Sequence, residues 1–73
     1  MTLVTKENIR MGFAGTLHKV IIPKGTKVIP ASNLPEDSKI KYWALPWKGM
    51  SQEEKSFQRN YGYGLEENEV EIL

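Results

Sequence analysis

Hydrophobic and polar positions change rhythm several times along this chain, and each rhythm predicts an element. Thr16–Ile22 is rich in β-branched residues, with Leu17, Val20, Ile21 and Ile22 supplying apolar surface. Pro23-Lys24-Gly25-Thr26 then reads as a turn, because proline presets φ and glycine tolerates the positive φ of a type II turn. Lys27–Ala31 returns as a second strand, so the two are expected to pair as a β-hairpin. Pro30 has no N–H for a ladder and belongs at an edge or at the strand's end.

Ser32–Ser38 carries Asn33, Pro35, Glu36 and Asp37 and reads as loop. Ile40–Leu45 is a third strand, stopped by Pro46. Lys41, Trp43 and Leu45 alternate with Ile40, Tyr42 and Ala44, so both faces carry bulk and both are expected to be covered. Ser51-Gln52-Glu53-Glu54 is a capping box, in which Ser51 and Glu54 each satisfy the other's backbone N–H. The helix it opens should run over about residues 52–60, with acids at its positive end and Arg59 near its negative end. Phe57 and Tyr61, four residues apart, face one side. Gly62 or Gly64 ends the helix. Val70 and Ile72 alternate with Glu69 and Glu71 in a half-exposed closing strand over Asn68–Leu73.

The first fifteen residues give no decisive pattern. Thr2–Thr5 suits a strand, Thr5 suits equally the cap of a helical turn through Lys6–Met11, and Gly12 and Gly15 break either. This stretch of a single domain spanning residues 1–73 is left open between strand, helical turn and loose order. The predicted class is α+β: a small curled antiparallel sheet, or a partial SH3-like barrel, with one short α-helix. That shape by itself implies no function.

Composition narrows the chemistry. With 40% hydrophobic and 26% charged residues the chain has a globular rather than a disordered profile. The absence of cysteine excludes disulfides, thiolate metal sites and a cysteine nucleophile, and the single His18 excludes any site that needs two imidazoles. The reading is therefore of a protein that is not an enzyme, with no metal and no cofactor. Val20-Ile21-Ile22 is the longest aliphatic run, far short of a membrane span. Lys6, Glu7 and Arg10 interrupt any signal-peptide core, so a cytoplasmic location without membrane contact is expected.

Net charge is +1, but Lys and Arg prevail in residues 1–50 and Glu prevails in residues 51–73. Such asymmetry serves either a charged partner or complementarity within the fold. Glu66, Glu67, Glu69 and Glu71 lack the spaced ligands and turn glycine of a calcium loop and read as a solvated face. Lys19, Lys24 and Lys27 are placed to touch phosphate, although edge strands also carry lysine to discourage aggregation.

The aromatic residues are the richest candidates. Tyr42, Trp43, Trp47, Tyr61 and Tyr63 offer flat surfaces for stacking and for binding hot spots. The simplest role for Trp43 and Trp47 is to fill a small core. Trp47, between Pro46 and Lys48, is the better candidate for exposure. The leading reading is a binding or accessory protein that meets another protein through Trp47, Lys48, Tyr61 and Tyr63, with the edge of Lys24–Ala31 available for strand addition. On that reading Trp47→Ala weakens binding and leaves the fold intact. A second reading is single-stranded nucleic-acid binding through Lys39, Lys41, Trp43 and Arg59. A third is a structural homo-oligomer, in which a partner copy stabilises a chain this small.

Two stretches, Ile22–Pro35 and Gly49-Met50-Ser51, with Arg59-Asn60-Tyr61-Gly62 downstream, resemble short uncharacterised proteins of tailed bacteriophages and prophages. That resemblance implies expression in a bacterial cytoplasm and supplies no activity and no site residues.

Overall fold

The β-branched and aromatic stretches fold into strands of two to four residues, packed around a core built from every part of the chain. The computed structural model describes residues 2–73. In order, it contains β1 (Leu3–Thr5), β2 (Ile9–Gly12), β3 (Lys19–Ile22), β4 (Val28–Pro30), β5 (Tyr42–Ala44), α1 (Gln52–Asn60), β6 (Gly64–Leu65), a 3₁₀ turn (Glu67–Glu69) and β7 (Val70–Ile72). The seven strands form three small antiparallel sheets, β1–β7, β2–β3 and β4–β5–β6. The class is α+β, and no barrel closes.

A hairpin is present, but its partners differ from the expected ones. β3 pairs backwards with β2, in the register Ile9↔Ile22 and Gly12↔Lys19. β4 pairs forwards with β5, in the register Val28↔Ala44 and Pro30↔Tyr42. Pro23–Thr26 does form a tight turn, with the Thr26 N–H donating to the Pro23 carbonyl at 3.3 Å and Gly25 at φ +86°. It turns a corner between sheets instead of closing a hairpin, because its polar groups are held by β1. The Thr5 N–H donates to the Thr26 carbonyl and the Gly25 N–H to the Thr5 carbonyl, both at 2.9 Å. The Thr5 hydroxyl donates to the Pro23 carbonyl at 2.8 Å and accepts from the Thr26 N–H at 3.0 Å. Thr5 and Thr26 are buried, yet their groups are satisfied, as burial of polar atoms requires. Pro30 ends β4, where no N–H is needed.

Within the N-terminal stretch, Leu3–Thr5 and Ile9–Gly12 form strands. β1 lies between β7 and the start of β4, bridging to the latter at Val4↔Lys27. The contacts that anchor it come from more than fifteen residues away in sequence, which is why local pattern leaves it undecided.

The helix matches its expected span. Ser51 accepts from the Glu54 N–H at 3.1 Å, while the Glu54 carboxylate accepts from the Ser51 N–H at 2.8 Å. It stops at Gly62, whose φ of +79° a side-chain-bearing residue adopts only with strain. The closing strand is shorter than expected, because Glu67–Glu69 form the 3₁₀ turn before it.

The core gathers Ile9, Val20, Ile22, Val28, Ala44, Met50, Tyr63 and Leu65. In β3 the alternation is strict: Val20 and Ile22 point inward, while Lys19 and Ile21 are exposed. β5 is covered on both sides as expected, with Tyr42 and Trp43 half-buried and Ala44 buried.

Candidate binding face around Trp47

Tyr63 sits at the centre of the aromatic residues and is fully enclosed. Phe57 stacks on its ring at a centroid distance of 5.3 Å, and Trp47 leans against it at 5.6 Å. His18 lies flat on Phe57, with centroids 4.2 Å apart. Its Nε2 is 2.8 Å from the Tyr63 hydroxyl and its Nδ1 is 3.4 Å from a Glu53 carboxylate oxygen. The Tyr63 hydroxyl also reaches the Glu54 carbonyl at 3.3 Å. Burial, then the nearby carboxylates of Glu54 and Glu53, raise the Tyr63 pKa above the usual tyrosine value of 10.0. The expected surface role of Tyr63 is therefore corrected: a side chain between two glycines has become the middle of the core.

Trp47 and Tyr61 fall on different sides of this centre. Tyr61 is 73% exposed and borders an apolar hollow lined by Phe13, Ile40, Trp43 and Phe57. Trp43 is half-buried there because Gly62 leaves room for it. A Cβ on Gly62 would lie 3.1 Å from the indole Cε3. Gly64 is similarly pressed beneath Ile40.

Trp47 lies on the opposite ridge with Lys48. Its ring is half-buried, packing against the core, and the Trp47 backbone N–H donates to the Met50 sulfur at 3.4 Å. Two open hollows flank the ridge and share Pro23, Trp47 and Lys48. The larger, about 920 Å³, carries Arg10 and Lys19 over an apolar floor that includes Met11 and Ile21. The smaller, about 520 Å³, carries Lys24 and Lys27. All five cationic residues of this face are exposed. Among the described residues the only ion pair is His18 with Glu53, so none of these five has a carboxylate within reach. The one acid that lines the face is Glu54, and its carboxylate is engaged in capping α1.

The residues expected to contact nucleic acid do not come together. Lys39 and Lys41 line a hollow with Glu66 and Glu67, so their charge is locally opposed. Trp43 faces the apolar hollow, and exposed Arg59 sits in the last turn of α1. The Lys24–Ala31 edge is also less open than expected, because β1 covers its first residues.

Arg10 is the site residue that sequence reasoning missed. Its signal was the register of an unexpected pair: Arg10↔Ile21 and Gly12↔Lys19 place Arg10 and Lys19 on one outward face. Lys19, Lys24 and Lys27 were visible in the sequence as a basic group.

No protein-family model, no curated protein and no solved structure matches the chain. No helix among the described residues is long and apolar enough to cross a membrane.

Proposed function

We propose that this protein is a small binding module that meets an acidic surface of another protein through the ridge of Trp47 and Lys48. The observation that carries this reading is five exposed cations gathered around a half-buried tryptophan, with Glu54 the one acid lining the same hollows. A fold gains nothing from like charges gathered in this way, whereas an approaching anionic surface gains both steering and complementarity. Tryptophan and arginine are the residue types that most often anchor such contacts.

The alternative of a single-stranded nucleic-acid platform has less support. Such platforms stack successive bases on several aromatic side chains along one basic groove. Here Trp43 and Tyr61 line a different hollow from Trp47, and Lys39 and Lys41 share theirs with acids. The bacteriophage resemblance directs the search for the partner to a bacterial cytoplasm.

The test is affinity capture from bacterial lysate, with and without nuclease, using the tagged protein and its Lys48→Glu variant. Lys48 is exposed, so this change leaves the fold intact, whereas Trp47→Ala would also remove packing against the core. A defined protein held by the natural sequence and lost with Lys48→Glu is the expected result. Equal capture by both, or capture that vanishes with nuclease, would refute the reading.

A further inference from the structure

The two hollows beside Trp47 constrain the shape of what binds there. They are separate concavities that meet at one ridge, and each carries its own pair of cations, Arg10 with Lys19 and Lys24 with Lys27. An occupant confined to one hollow would leave the other pair unanswered. The floor is mixed in character: Met11 and exposed Ile21 contribute apolar surface on one side, and Pro23 lies beneath the ridge on both.

Resting on the binding reading above, we infer that the occupant is an extended acidic peptide segment with an aliphatic residue at its middle. It lies across the Trp47–Lys48 ridge. Its carboxylates on one side meet Arg10 and Lys19, and those on the other meet Lys24 and Lys27. The central aliphatic side chain packs on Trp47 and the adjoining apolar floor.

Three observations favour a peptide over a polyphosphate chain. The ridge offers a single aromatic ring, and that ring is partly spent on the core. The apolar floor matches aliphatic side chains, which a nucleic acid does not have. The chain's net charge of +1 also lacks the domain-wide basic excess usual for nucleic-acid binding.

The test uses a synthetic nonapeptide, Asp-Glu-Asp-Glu-Leu-Glu-Asp-Glu-Asp, titrated by calorimetry into the full chain at low salt. A copy with serine at the centre and an oligothymidylate of equal charge are titrated in parallel. Two charge-reversed proteins follow, one carrying Arg10→Glu with Lys19→Glu and one carrying Lys24→Glu with Lys27→Glu. Circular dichroism confirms that each is folded.

The inference predicts that the leucine peptide binds more tightly than both the serine copy and the oligonucleotide. Each paired reversal should weaken it by roughly tenfold or more, and added salt should weaken it further. Sensitivity to one pair alone, tighter binding of the oligonucleotide, indifference to the central leucine, or no peptide binding would each overturn it. If the peptide fails while Lys48→Glu still abolishes partner capture, the face binds a partner of another shape and only this inference falls. If both fail, the face is not a binding site.

Discussion

The two tryptophans stand four residues apart, and the structure puts them to opposite uses. Trp43 packs over Gly62 at the border of an apolar hollow, and the lysines nearest it in sequence, Lys39 and Lys41, lie beside Glu66 and Glu67. Trp47 tops a ridge between two hollows whose lysines and arginine have no acid within reach. Both rings are half-buried, so exposure alone does not separate them. What separates them is the company brought in by strand pairing. Lys39 and Lys41 share their hollow with two acids, whereas the five cations around Trp47 share theirs with Glu54 alone, whose carboxylate caps α1.

If Trp43 is a structural residue, damage to its seat should unfold the protein. Gly62→Ala forces a side chain into the left-handed region and crowds the indole, whose Cε3 would be 3.1 Å away. The expected loss is about 1–2 kcal/mol from the backbone term alone, a large share of the total stability of a domain this small. Urea unfolding followed by tryptophan fluorescence would measure it. A variant as stable as the natural protein would mean that Trp43 is not held by this contact.

A smaller effect concerns the centre that both sides share. Tyr63→Phe keeps the ring stack and removes the hydroxyl that meets His18 and Glu54, at an expected cost of about 1 kcal/mol. The same hydroxyl gives a signature in pH. Its pKa is raised in the folded state, so the neutral form is favoured there and the unfolded chain ionises first. The associated stability is present in full below the usual tyrosine value of 10.0 and is lost as pH rises from there through the folded pKa. Denaturation between neutral and alkaline pH should therefore bring the natural protein and Tyr63→Phe closer together as pH rises. A constant gap would show that the hydroxyl titrates as it does in the unfolded chain.

The comparison also indicates which features a sequence can reveal. The helix was legible because its cause is local: Ser51 and Glu54 cap each other within one turn. The α+β class was legible from the short alternating runs. Strand partners were not, since strands of three or four residues carry too little pattern to fix pairing, and β1 settled the course of the Pro23–Thr26 turn from a distance. Tyr63 reads from sequence as a surface aromatic because β6 has only two residues, too few for alternation to mark its inward side. Trp47 and Lys48 are neighbours in sequence, and both line the two hollows. Arg10 entered that face only through its register opposite Ile21, which no local reading supplies.

If the cations around Trp47 serve an outside partner, the fold itself does not need them. The most direct measurement is urea unfolding of a chain carrying Arg10→Gln, Lys19→Gln, Lys24→Gln, Lys27→Gln and Lys48→Gln together. Removing like charges that have no acidic partner should leave stability within about 0.5 kcal/mol of the natural chain or raise it. A fall of more than about 1 kcal/mol would mean that the fold itself depends on these charges, contradicting the claim.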